Sequence, residues 1–149
     1  MHSITTPTFS TLKLSQRVPG VVQITMARAA VFNAFDELMI SELDAAFAAM
    51  SDDTSVRVIV LAGDGKHFSA GADLQWMQRA AAATVEWNLH DARRFAGMLH
   101  RIANAPKPVL ARIQGATMGG GVGLACACDI AIAADNASFA VSEAKFGIL

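Results

Sequence analysis

Five glycines fall within nine positions, Gly115 to Gly123, in the stretch GATMGGGVGLACACDI. Glycine lowers the stability of helices and strands, so some other gain must offset that cost. One candidate gain is chemical. Glycines at a helix N-terminus leave backbone N–H groups free, the helix dipole favours negative charge there, and the missing side chains let a carbonyl oxygen approach. A second loop of this type, SAGAD (Ser69–Asp73), also follows a strand-like run and precedes a helix-like one. In an α/β sheet the carboxyl ends of strands face a common crevice, so two such loops aim amides at one point, as an oxyanion hole does. The other reading of the same glycines is close helix–strand packing. Phosphate loops fit less well. No Gly-Lys-Ser/Thr follows the glycines, and the G-x-G-x-x-G pattern fails because positions 124 and 126 are Leu and Cys.

An oxyanion hole needs a proton carrier beside it. Glu143, in AVSEAKFG, comes twenty residues after Gly123 at the end of a strand-like run, among apolar and small residues. Such surroundings raise a carboxyl pKa toward the working pH and suit it to general acid/base chemistry. The alternative is a solvated strand-end glutamate paired with Lys145, as most glutamates are exposed.

The elements that must hold these residues follow from periodicity. Alternation in Phe9–Gln16 and the β-rich run Gly20–Met26, joined at Val18-Pro19-Gly20, predict an opening hairpin. Leu38, Met39, Leu43, Ala46, Phe47 and Met50 recur at helical spacing and predict a helix from about Asp36 to Ser51. Val56–Gly63 and Val109–Gly115 read as buried strands of the parallel type. Leu74–Ala103 reads as a long helical region, ended by Asn104–Pro108. A short helix around Gly121–Cys126 and the strands DIAIAA and SFAVS complete an α/β order with crossover connections.

Bulk properties agree with one domain spanning residues 1–149. The chain is 53% hydrophobic and 17% charged, with a formal net charge of −1, so a sizeable core is expected and no pull toward nucleic acid or an anionic membrane. The N-terminus lacks the shape of a signal or transit peptide, which predicts a cytoplasmic protein. Asp129 and Asp135 interrupt the apolar run around the glycines, leaving it short of a membrane span. Cys126 and Cys128, without a second cysteine pair or a nearby histidine, read as buried small residues, with no metal expected. The chain stops on Ile148 and Leu149, apolar residues without a polar tail, as an unfinished chain would.

Three segments, ITMARAAVFNAFDELMISEL, VIVLAGDGKHFSAGADL and KPVLARIQGATMGGGVGLACACDIAIAADNASFAVSEAKFGI, resemble the crotonase superfamily of enoyl-CoA hydratases and isomerases in order and spacing. GADLQWM with the glycine segment is most similar to bacterial methylglutaconyl-CoA hydratases of leucine breakdown. The resemblance implies an α/β, crotonase-like ββα spiral, here the N-terminal core without the C-terminal helical region. It also implies an acyl-CoA thioester as substrate, coenzyme A being part of that substrate and no further cofactor being needed, and a homotrimer or hexamer for a full-length member. It places the thioester carbonyl between the amides of Ala72 and Gly120, each such donor being worth about 3–4 kcal/mol to a developing enolate. Glu143 becomes the acid/base. Val31, Phe32, Ser69, Ala70, Gly71, Asp73 and Gly119 fall on substrate-binding positions, and Arg28 or Lys66 on positions that meet CoA phosphates. Hydratases of the family carry two glutamates; the second matches Glu143, whereas the first falls on Gly123, which cannot exchange a proton. The family's isomerases work with the later glutamate alone. The resemblance therefore leaves three outcomes: a hydratase, a Δ3,Δ2-enoyl-CoA isomerase, or an inactive acyl-CoA-binding fragment. Asp129 matches a position that is structural in the family.

Overall fold

A computed structural model describes residues 8–147 of the chain. The opening hairpin pairs β1 (Leu12–Val18) with β2 (Val21–Met26) in antiparallel register, Leu12 opposite Met26, with an irregularity between Gln16 and Val18. From β2 onward the sheet is parallel: β2 pairs with β3 (Val58–Gly63), β3 with β4 (Val109–Ile113), and β4 with β6 (Ile130–Ala133). Parallel neighbours need long crossovers. Helix α1 (Glu37–Asp52) carries the first, α2 (Leu74–Ala82) and α3 (Val85–Ala103) the second, and the short strand β5 (Ala116–Met118) with α4 (Gly120–Ala127) the third. A second layer forms where β5 pairs in parallel with β7 (Ser138–Ala140). Single-residue bridges from Ser69 to Thr117 and from Phe35 to Ala72 extend this layer across the loops.

The expected boundaries hold to within a residue or two for α1, where Asp36 accepts from the Met39 N–H as the N-cap that stops the chain fraying. The single helical region expected over Leu74–Ala103 is two helices. Ala83 and Thr84 are extended, and the Thr84 side chain accepts from the Trp87 N–H to start α3 afresh. Strands β3 and β4 were expected to be buried on both faces. Over most of their length alternate residues, Ile59 and Leu61 with Val109, Ala111 and Ile113, reach the core they share with Val22, Ile24, Met39, Leu43, Phe47 and Met98, while β3 is buried throughout at its end, Leu61 to Gly63. Val58, Val60 and Leu110 are half-buried, Arg112 is exposed, and every residue of β6 is exposed. Among the described residues the helical cover lies over one face of the sheet, which is why the pattern alternates instead of running continuously.

No helix among the described residues is long and apolar enough to cross a membrane. Of the two cysteines expected to be buried, Cys126 is exposed; Cys128 is half-buried, its Sγ 3.3 Å from the Leu124 carbonyl oxygen, and burial pushes its thiol up to about 12. Asp129 is structural: its Oδ2 accepts from the Val109 N–H at 2.8 Å and its own N–H donates to the Val109 carbonyl at 2.9 Å, closing the start of the β4–β6 pair. The terminal Ile148 and Leu149 lie outside the described residues.

Candidate active site

The two glycine-containing loops touch. A Cβ placed on Gly71 would lie 2.7 Å from the Met118 carbonyl oxygen and 3.4 Å from the Gly120 nitrogen. Gly71 itself has φ 89°, a conformation that other residues strongly disfavour. Its carbonyl accepts from the Phe35 N–H at 2.8 Å, while the Asp73 N–H donates to the Phe35 carbonyl at 3.0 Å. Because the Gly71–Ala72 peptide is trans and planar, a carbonyl directed at Phe35 turns the Ala72 N–H the opposite way. That N–H has no acceptor among the described residues. Gly119, with φ 51° and ψ −122°, caps α4 without a side chain; its carbonyl accepts from the Val122 N–H at 2.9 Å. The Gly120 N–H therefore projects backward out of the helix N-terminus, and it too has no acceptor among the described residues.

Glu143 sits against this loop. Its carboxylate packs on the α-carbon of Gly119, so closely that a Cβ there would lie 3.0 Å from both its Cδ and its Oε2. It does not stand at a strand end, as expected, but in the 3-10 turn Ser142–Phe146 that follows β7, and the Ser142 Oγ donates to Oε2 at 3.4 Å. No ion pair with Lys145 forms among the described residues. Ala70, Ala72, Gly119, Ser142 and Glu143, with the side chains of Leu74 and Met77 from α2, surround one cavity of about 470 Å³. Leu74 and Met77 are 75% and 48% exposed and give it an apolar wall, a contribution the sequence reading did not single out.

Two expected contact residues face inward instead. Ser69 is fully buried; its Oγ donates to the Asn33 carbonyl at 2.9 Å and accepts from the Gly71 N–H at 3.1 Å, so it braces the loop from beneath. Asp73 is buried as the N-cap of α2, accepting from the Gln75 and Trp76 N–H groups. Arg28, expected near CoA phosphates, is committed within the chain: it donates to Asp73 Oδ2 at 3.0 Å and to the Ala34 carbonyl, and lies 3.3 Å from Asp36 Oδ2. Lys66 stays exposed, as do Val31 and Phe32. The Phe32 carbonyl accepts from the Ala70 N–H at 2.8 Å, and its ring meets His67 edge-on at 5.0 Å.

A larger cavity, about 570 Å³, opens where β3, β4 and β6 end, between Asp64, Arg112, Gln114 and Ile132. Its one carboxylate, Asp64, is bonded to Lys13 at 2.8 Å, and that hydrogen bond holds it below the usual carboxylate range.

Two loops with unpaired amides thus meet beside a cavity lined by Ala72, Gly119 and the Glu143 carboxylate. Residues 16–149 match the enoyl-CoA hydratase/isomerase family, and the chain belongs to it. A relative described as a probable enoyl-CoA hydratase, from Rhizobium meliloti (strain 1021), is 40% identical over 126 residues, covering 85% of this chain and 47% of its own. The mitochondrial Delta(3,5)-Delta(2,4)-dienoyl-CoA isomerase of Pongo abelii is 32% identical over 148 residues, covering 94% of this chain and 45% of its own. The crystal structure of an enoyl-CoA hydratase from Shewanella pealeana ATCC 700345 superposes with a TM-score of 0.90 at 40% identity, covering 95% of this chain and 53% of that one. The fold is therefore the crotonase-like α/β spiral. The chain spans about half the length of the curated relatives it matches.

Proposed function

We propose that the cavity binds an acyl-CoA thioester and that the chain carries the catalytic core of a 2-enoyl-CoA hydratase of the methylglutaconyl type. The observation that supports this most is the seating of the Glu143 carboxylate on Gly119, the residue that immediately precedes the free Gly120 amide, on a cavity it shares with Ala72. In this reading the thioester carbonyl accepts from the Ala72 and Gly120 N–H groups. Water adds to carbon 3 of the conjugated double bond, the electron pair moves onto the carbonyl oxygen as an enolate, and carbon 2 then takes a proton. Glu143 carries that proton. The two amides stabilise the enolate more than the ground-state thioester, which is where catalysis comes from. Leu74 and Met77 meet the acyl chain, and Val31, Phe32 and Ala70 flank the CoA arm.

A second reading has its own support: Glu143 is the only acidic residue on the cavity wall among the described residues, and Gly123 stands where the resemblance puts a hydratase's other glutamate. One carboxylate suffices to take a proton from carbon 2 of a 3-enoyl-CoA and return it to carbon 4. The two reactions separate by mass. Incubation with 2-enoyl-CoA should yield a product heavier by one water, whereas an isomerase converts 3-enoyl-CoA to a conjugated product of unchanged mass. If neither thioester is consumed but acetyl-CoA still releases heat in a calorimeter, the chain is an acyl-CoA binder; no heat with acetyl-CoA refutes the site itself.

A further inference from the structure

Both loops that carry the two amides are braced by one residue, Phe35. Its backbone holds the first loop: the Phe35 N–H donates to the Gly71 carbonyl and its carbonyl accepts from the Asp73 N–H, a one-residue parallel bridge that straddles Ala72 and turns the Ala72 N–H away. Its ring holds the second: the ring tip, Cζ, abuts the α-carbon of Gly120, and a Cβ there would lie 3.3 Å from each flanking Cε and closer still to Cζ. The ring has little freedom of its own. Phe35 is 1% exposed, stacks on Phe95 at 5.2 Å with an interplanar angle of 20°, and meets Trp76 at 6.1 Å. Trp76 is in turn fixed by its Nε1–H, which donates to the buried Asp91 at 2.8 Å.

We propose that Phe35 is the positioning residue of the oxyanion hole, setting the Ala72 amide through its backbone and the Gly120 amide through its ring, so that the spacing of the two donors is fixed by one rigid body. The inference rests on the oxyanion reading above. It follows from close packing: a buried aromatic ring stacked on one neighbour and abutted by another transmits its position to whatever its tip touches, and amides aimed at a developing charge lose their effect when misplaced by a fraction of an ångström. It also gives Gly120 a steric reason to lack a side chain that is separate from substrate approach.

The test uses [1-13C]acetyl-CoA as the probe and reads the infrared band of the bound thioester carbonyl, which moves to lower frequency as hydrogen bonds polarise it. The wild-type chain should show the downshift. Phe35→Leu, which lacks the ring tip, should bind the probe within about threefold of wild type yet show about half the downshift or less, since ground-state affinity and carbonyl polarisation are separable. Phe35→Met, similar in volume but flexible, should behave the same way and serves if the leucine variant folds poorly. Thermal denaturation supplies a readout without ligand: Gly120→Ala should lower the melting temperature by more in the wild-type background than in Phe35→Leu, because the clash partner is then gone. A full downshift in the folded Phe35 variants, or a Gly120→Ala effect equal in both backgrounds, overturns the proposal alone. A wild-type chain that binds the probe with no downshift overturns the oxyanion reading, and the proposal with it, while the thermal cycle still reports whether Phe35 and Gly120 are coupled.

Discussion

Asp73 shows how one residue can serve the site without facing it. Burial opposes its ionisation, but the N–H groups of Trp76 and Gln75 and the Arg28 guanidinium outweigh that and hold its pKa below the ordinary aspartate value. A carboxylate whose folded pKa is depressed stabilises the fold above its unfolded pKa, about 3.9, and that contribution is lost as pH falls through the lower folded value. Asp73→Asn should therefore cost roughly 1–2 kcal/mol at neutral pH, the scale of a charge-assisted hydrogen bond. Urea denaturation of both proteins at a series of pH values should show the gap constant near neutrality and closing below about pH 4. A gap independent of pH down to the acid limit would show that the charge of Asp73 is not what Arg28 holds. At this scale the sequence was legible where glycines shape the main chain. Glycine patterns marked the Ala72 and Gly119–Gly120 loops, and Glu143 stood out by its apolar surroundings and by resemblance. The internal partners of Arg28 and Ser69, Asp73 with Ala34 and Asn33 with Gly71, were not legible because they become neighbours only through the crossing of loops.

Helix α4 concentrates the question of what its glycines are for. They differ from one another. A Cβ on Gly121 would stand 2.9 Å from the Ser69 carbonyl oxygen and 3.0 Å from the Ser69 Cβ, and one on Gly120 would strike Phe35, whereas one on Gly123 would find only Leu99 at 3.9 Å. Close packing thus explains two of them. Nothing in the packing requires Gly123. Gly123→Ala should raise stability by about 0.5–1 kcal/mol through helix propensity, while Gly121→Ala should lower it by roughly 1–3 kcal/mol through overpacking. Equal effects of the two substitutions on the denaturation midpoint would contradict this division. The elements were legible where one local signal dominates, as with the Asp36 cap and the apolar stripe of α1. The break at Ala83–Thr84 was not legible because the run of alanines before it and the apolar Val85, Trp87 and Leu89 after it carry no Gly or Pro to mark an end. The exposure of β6, with 53% for Ile130 and 57% for Ile132, was hidden for a different reason: an apolar run reports what a strand wants to bury, not what covers it among the described residues.

At the scale of the whole molecule, the parallel sheet and the small β5–β7 layer bring into one place loops that are distant in sequence: Phe35, Ala72, Gly120 and Glu143 span more than a hundred positions of the chain. That assembly sets the Glu143 carboxylate against Gly119 on the cavity lined by Ala72. The central claim is a division of labour, with main-chain amides holding the thioester and Glu143 moving the proton. Glu143→Gln tests it most directly, since glutamine keeps the size and hydrogen bonding of the side chain but cannot carry a proton. Acyl-CoA affinity and turnover of 2-enoyl-CoA and 3-enoyl-CoA should be measured side by side on the wild-type chain and this variant. The account predicts affinity nearly unchanged and turnover lowered by roughly 100-fold or more, the usual scale for the loss of a general acid/base. Turnover equal to wild type, or a loss that tracks weakened binding, would contradict it.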